Sequence, residues 1–361
     1  MGSKKLISFF LAVCLSLPLF AQYKNMVRGN IAIPDLKDFV TLKCDFHIHT
    51  VFSDGVVWPT VRVDEAYREG LDAISITDHV EYRRWSPNVT GSLNRTYEIA
   101  LPEAKANGIM LIKGAEISRP MPPGHFCALF LTNCDELEKP DYMDVFRAAG
   151  AQNAFIVWNH PGGIWQPDTV KWWPEHTKLL ELGLLHGIEV VNTDEYFPEA
   201  HAWCLEKKLT MFGSLDPHLP LFFPPGKHRP LTLVFARNRT EEAIREALKA
   251  RRTAVWFEEL VIGEEKYLKE LFENSVDIEV TKTNNSARIT FTNKSDLTFH
   301  LKKTRDYDQR LVYFRDHTIV PQGKYTITVR FEGGIQGGDV NFTVENFYVQ
   351  PNKGMRYTIK L

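Results

Sequence analysis

The stretch TLKCDFHIHTVFSDG, residues 41–55, opens on a strand-like apolar run and stops in two imidazoles, His47 and His49, followed by a Ser53-Asp54-Gly55 turn. The pattern recurs along the chain. AISITDH (73–79), MLIKGAE (110–116), FIVWNHP (155–161) and MFGSLDPH (211–218) each end an apolar run in His, Asp or Glu, and His125 opens the run Phe126 to Leu131. Metal-ligand side chains placed where strands stop suggest one basin at the C-terminal rim of a βα barrel. Alternate residues of a strand face the same side, so His47 and His49 can both reach one cation at about 2.0–2.1 Å. The pattern is that of a metalloenzyme.

Outward from these clusters, residues from about 39 to 257 alternate strand and helix signals, as expected of an α/β barrel of seven or eight strands. Strands are predicted at Thr41–Phe46, Ala73–Thr77, Met110–Glu116, His125–Leu131, Phe155–Asn159, Gly187–Val191, Met211–Ser214 and Leu231–Ala236. Helices are predicted over Val61–Glu69, over Leu93–Asn107 ending at Gly108, and from Thr240, an N-cap residue followed by two glutamates. After about Ser275 the composition changes. Short alternating runs punctuated by Asn-Asn, Asn-Lys-Ser and Gly-Gly suggest a small antiparallel β-sandwich without a ligand cluster. The expected layout is therefore a leader at 1–21, a barrel over 22–272 and an Ig-like β-sandwich over 273–361.

Lys4 and Lys5 precede an apolar stretch from Leu6 to Phe20 and then Ala21-Gln22, the layout of a secretory signal cleaved near Ala21. Cys14 follows Val13, where lipid attachment would call for a small residue. The mature protein is expected in the periplasm or outside the cell, with no membrane segment left after cleavage. With 43 Lys and Arg against 45 Asp and Glu, the net charge of -2 carries no footprint for nucleic acid. Cys44, Cys127, Cys134 and Cys204 show no Cys-x-x-Cys or zinc-ribbon spacing. The oligomeric state is not legible in the sequence.

Each cluster has a plain alternative. Ser53-Asp54-Gly55 is also an ordinary turn, Lys113 could pair with Glu116, and His125 or His160 alone could be a core histidine. Their joint occurrence decides for a metal site. His176, His186, His201 and His228 lack this placement and read as surface or structural residues. Arg83 and Arg84, just after His79, could clamp phosphate oxygens, with pairing to Glu81 as the plain alternative. Trp58, Tyr82, Trp85, Trp165, Trp172 and Trp173 could wall an apolar pocket or pack a lid.

Taken together, these motifs, from about Thr41 to Ala254, resemble the polymerase and histidinol phosphatase (PHP) family of metal-dependent phosphoesterases. The leader, the Val57-Trp58-Pro59-Thr60 segment and the β-rich tail look most like its secreted phosphodiesterase branch. The resemblance implies a distorted (βα)7 barrel with two or three clustered metals. By position, His47, His49, Glu116 and Asp216 would hold the first metal, and Glu116, His125 and His160 the second. A third would use His79, His218 and a loop residue. Many members have a His in that loop, so here either Asp54 replaces it or the third metal is absent. Leu215 interrupts the commoner Ser-Asp pairing before Asp216.

Two divalent cations about 3.5–4 Å apart lower the pKa of bound water toward about 7, so a hydroxide bridging them could attack phosphorus. His79 or His218, or Asp54 if no third metal is held, would protonate the leaving alcohol, with Asp78 supporting. Mixed N and O ligands suit manganese, zinc or iron. The expected reaction is hydrolysis of a small organic phosphodiester. A phosphomonoesterase, a carbonyl (amide or ester) hydrolase on the same centre, and a non-catalytic metal-stabilised binding module are the alternatives. Substituting His47 and His160 separates the last from the rest: ligand binding survives in a module, whereas turnover vanishes in an enzyme.

Overall fold

The computed structural model describes residues 26–162, 170–224 and 226–361. The leader at 1–21 and Trp165 lie outside the described residues. The first strands are β1 (Val40–Asp45), β2 (Ala73–Ile76), β3 (Met110–Ser118), β4 (His125–Leu129), β5 (Phe155–Trp158) and β6 (Gly187–Asn192). Then come β7 (Glu195–Tyr196), β8 (Thr210–Ser214), β9 (Leu231–Ala236), β10 (Thr253–Phe257) and β11 (Leu260–Gly263). Each of the eight predicted strands is present within two residues of its expected ends. Every residue of β2, β5, β6, β8 and β9 is buried, as continuous apolar runs covered on both faces require.

Pairing is parallel in β1–β2, β2–β3, β5–β6 and β6–β8. It is antiparallel in β3–β4, β4–β5 and β1–β9, which distorts the regular barrel. Chain length explains the first reversal. Only residues 119–124 separate β3 from β4, too few for the dozen or so that a parallel crossover needs. Closure between β8 and its neighbours relies on threonine hydroxyls. Thr232 Oγ1 accepts from Gly213 N at 3.0 Å and donates to Gly213 O at 2.9 Å, and Thr253 Oγ1 donates to Met211 O at 3.0 Å. Gly213 permits this approach, because a Cβ there would lie 2.3 Å from Val255 Cγ1.

Among the described residues, seven α-helices flank the strands: α1 (Pro59–Glu69), α2 (Arg95–Asn107), α3 (Tyr142–Ala151), α4 (Pro174–Glu181), α5 (Pro198–Lys207), α6 (Glu241–Lys249) and α7 (Glu265–Ser275). Gly70 and Gly108 end α1 and α2 in the left-handed region at φ 82° and 66°. Thr240 caps α6 by accepting from Ala243 N, as its sequence predicts. No described helix is long and apolar enough to cross a membrane.

Helix α7 passes directly into the C-terminal β region: β12 (Val276–Lys282), β13 (Ser286–Asn293), β14 (Phe299–Lys303), β15 (Leu311–Val312), β16 (Asp316–Ile319), β17 (Lys324–Phe331), β18 (Asp339–Gln350) and β19 (Lys353–Lys360). One sheet runs β12-β13-β17-β15. The other, containing β16, β14, β18 and β19, is continuous with the barrel, because β18 pairs parallel with β11 through Val261↔Phe347 and Ile262↔Tyr348. Strands β10 and β11, absent from the sequence reading, make this junction. Phe272 of α7 packs 5.0 Å from the Phe299 ring and 4.7 Å from that of Tyr357.

His176, which reads from sequence as surface or structural, is fully buried against Trp158 at 3.7 Å between ring centroids. Its Nδ1 accepts from Trp173 N at 3.1 Å and its Nε2 donates to Pro123 O at 2.8 Å. Protonation would set two N–H groups against each other, and burial already lowers its pKa to about 4. Unfolded chains bind that proton near pH 6.5, so the stability contribution is complete above pH 6.5 and is lost as pH falls toward 4. Urea midpoints should record a fall of up to about 3 kcal/mol across this window, shallower in His176→Gln.

Candidate metal centre

Beyond the strand ends, the ligand segments are joined by main-chain hydrogen bonds. Thr77 N donates to Ile48 O at 2.8 Å and Glu116 N to Asp78 O at 3.1 Å; Asn159 N donates to His125 O at 2.9 Å. The loop after β8 lies along residues 47–49, with Asp216 N on His47 O at 3.2 Å and His49 N on Pro217 O at 3.3 Å. Asp216 sits at φ 58° and His160 at φ 28°. Asp visits this left-handed region comparatively easily, and the positive φ lies just after Leu215, the residue that interrupts the commoner pattern.

Glu116 is completely buried and stands at the middle of the cluster. Its Oε1 lies 3.3 Å from His47 Nε2, 3.4 Å from His125 Nδ1 and 3.7 Å from His160 Nε2. Its Oε2 lies 2.5 Å from His79 Nδ1 and 3.6 Å from His49 Nε2. Asp216 Oδ1 is 2.9 Å from His49 Nε2 and 3.2 Å from His47 Nε2. Asp54 Oδ1 is 3.1 Å from His218 Nε2 and 3.5 Å from His79 Nε2. Four groups with converging ligand atoms result: His47, His49 and Asp216; His47, Glu116 and His160; His79, Glu116 and His125; and His49, Asp54, His79 and His218. All nine residues proposed as metal ligands come together. Asp54 joins the fourth group, so its loop faces the cluster with a carboxylate.

The donor set fits divalent cations. Glu116 Oε2, Asp216 Oδ1, Asp54 Oδ1 and His125 Nδ1 are buried without a hydrogen bond, although each faces other ligand atoms. Such a concentration of buried lone pairs needs positive charge between them. Burial opposes the charge on Glu116, but the imidazoles of His79, His47 and His125 hold its carboxyl well below the usual range. Burial and the neighbouring His79 push His49 down to about 4. For His79 the opposite balance holds: burial is outweighed by Glu116 and Asp54, which raise it to about 10. The carboxylates are thus ionised and ready as ligands.

Three other site candidates stand elsewhere. Asp78 turns its carboxylate to Thr50 N (2.7 Å), Thr50 Oγ1 (2.6 Å), Ser53 Oγ (2.7 Å) and Thr96 Oγ1 (2.8 Å), so it holds the loop that carries Asp54. Arg83 pairs with Glu138, and Glu81 pairs with Arg119 at 2.8 Å. Arg84 is exposed over the Trp85 ring at 4.9 Å. Of the aromatics, Trp58 and Tyr82 are 46% and 53% exposed, and Tyr82 lies 6.0 Å from the His79 ring. Trp85 Nε1 donates to Gly55 O at 2.8 Å, Lys171 lies over the Trp173 ring, and Trp172 packs against Trp158 and Trp203. Sequence reasoning missed Glu189, Asn192 and the buried Asp45–Arg229 pair (2.8 Å) beneath the site. A lone Glu within the apolar run GIEVV was the available signal.

A family model described as an Ig-like domain matches residues 273–360. The crystal structure of a two-domain protein from Bacteroides vulgatus, containing a predicted PHP-like metal-dependent phosphoesterase, superposes with a TM-score of 0.91. It is 53% identical, covering 92% of this chain and 99% of that one. The 5'-3' exoribonuclease of Haemophilus influenzae is 38% identical over 79 residues, 22% of this chain. The match spans 24% of the exoribonuclease's length.

If Asp78 holds the loop, Asp78→Ala strands several buried donors and should cost about 3 kcal/mol or more in urea denaturation. Thr96→Val, removing one donor and leaving the other three partners, should cost about 1 kcal/mol.

Proposed function

This chain belongs to the family of PHP-like metal-dependent phosphoesterases, and on that premise we propose that it hydrolyses phosphodiester bonds of small organic diesters in an exported compartment. The observation that carries the reading is Glu116, one buried carboxylate shared among ligand groups able to hold two or three ions of manganese, zinc or iron. When bound, such ions neutralise phosphoryl charge and acidify water near neutral pH.

The chain's own residues supply the rest. His218 has the most exposed side chain of the six clustered imidazoles, at 35%. Its Nδ1 donates to Asp216 O at 2.9 Å, and its Nε2 faces Asp54 Oδ1 at 3.1 Å. Burial opposes its protonation, but the Asp54 and Asp216 carboxylates raise its pKa. In a two-ion centre, His218 Nε2 is therefore the proton donor to the departing alkoxide, with the Asp216 carbonyl on Nδ1 orienting the ring and Asp54 favouring its protonated form. His79 is buried deeper and faces Glu116, which favours a ligand role.

A monoanionic diester is favoured over a dianionic monoester because Arg83 and Arg119 are each engaged by a glutamate and Arg84 lies exposed over Trp85. The exposed Trp58 and Tyr82 support an apolar alkyl or aromatic leaving group. Balanced charge supports a small substrate over a polynucleotide. Lys4, Lys5 and the apolar run to Phe20 support export.

Purified mature protein should contain two to three metal ions per chain and hydrolyse a chromogenic diester at least tenfold faster than its monoester after loading with manganese or zinc. Glu116→Ala should lose turnover. A metal-loaded protein inactive on every diester, yet active on monoesters or amides, would overturn the diester assignment. His218→Gln should slow alkyl-ester cleavage about 10²–10⁴-fold while sparing a nitrophenyl leaving group.

A further inference from the structure

Glu189 lies in β6 at 1% exposure and belongs to none of the four ligand groups. Its two oxygens face in different chemical directions. Oε1 is 2.9 Å from His47 Nδ1, across the ring from Nε2, which approaches His49, Glu116 and Asp216 at 3.1, 3.3 and 3.2 Å. Oε2 accepts from the main-chain N–H of His160 at 2.8 Å and from Asn192 Nδ2 at 2.8 Å. His160 is the residue at φ 28°, a conformation that persists only where its surroundings over-determine it.

The geometry points to Glu189 as the positioning residue that ties together two sides of the metal centre. An ionised carboxylate only accepts hydrogen bonds, so His47 must carry its proton on Nδ1 and leave the Nε2 lone pair for a cation. The other oxygen anchors the strained main chain that presents the His160 ring. One side chain thus fixes the tautomer of a ligand from the β1 end and the backbone of a ligand from the β5 end.

Isosteric Glu189→Gln makes this role testable, because an amide cannot satisfy both directions. If its NH2 turns to His47, the proton moves to Nε2 and the lone pair is lost to the cation. If it turns the other way, two donors oppose the N–H of His160 and the amide of Asn192. Uptake of manganese or zinc alone, titrated against a chromophoric chelator, should show affinity about 10–100-fold weaker at the His47-containing groups. Binding at His49, Asp54, His79 and His218 should remain near that of the unmodified protein. In zinc-loaded protein, the ¹⁵N shifts of His47 should show a protonated Nδ1 and an Nε2 that carries no hydrogen.

Unchanged affinity in Glu189→Gln, equal loss at every group, or the opposite tautomer in the unmodified protein would overturn the assignment. Should Glu189→Gln fail to fold, Asn192→Leu carries the test. It removes one donor from Oε2 and is expected to weaken uptake several-fold at the same groups; no change would overturn the assignment. Because metal uptake is read without any ester, failure here is distinct from failure of the diester proposal.

Discussion

A completely buried carboxylate, Glu116, lies within 4 Å of five imidazoles, and the upper half of the barrel is arranged around the cost of keeping it there. Burial alone would drive such a group toward its neutral form. The surrounding histidines reverse that preference, and Asn159 Nδ2 donates to Oε1 at 2.7 Å. Oε2 keeps no hydrogen bond. Native interiors seldom leave such atoms unpartnered, and where they do the reason is commonly a function. Here the reason is cation binding by mixed imidazole and carboxylate groups.

Holding nine candidate ligands in register demands rigidity from loops that are mobile in most folds. Extended pairing continues beyond the strand ends and laces together the segments at 47–49, 77–80, 116, 159 and 216–217. Buried side chains then lock what the backbone alone cannot. Asp78 fixes the turn that carries Asp54, and Arg62 donates to His49 O at 2.9 Å and Pro217 O at 2.7 Å. The residues around the centre thus divide into those aimed inward at ligand distance and those that hold them from outside. Only the first kind has a conspicuous sequence pattern.

That division explains what was legible in the chain. All nine ligand candidates could be found because His, Asp and Glu at the ends of apolar runs break a local pattern. Strands β1 to β6, β8 and β9 could be found because their runs are short, apolar and bounded by turn residues. Asp78 reads as a support for the proton donor, but adjacency to His79 in sequence says nothing about where a side chain turns. In the structure, Thr50, Ser53 and Thr96 claim it. Arg83 shows the same limit: its partner Glu138 lies 55 residues away, and no local rule anticipates that pairing. The antiparallel placement of β4 was legible in principle from the six-residue connection before it, whereas the β11–β18 junction depends on tertiary contact alone.

That junction bears on how the molecule can be divided. Strand β11 closes a hairpin with β10 on one side and pairs with β18 on the other, so the barrel has no free edge there. Removing the C-terminal region would bare the hydrogen-bonding edge of β11 and uncover the apolar face of α7, where Leu268, Leu271 and Phe272 are buried. A bared strand edge beside uncovered apolar surface is a template for aggregation. The tail therefore acts as a structural cap on the barrel, and the two parts are expected to melt together rather than in separate steps.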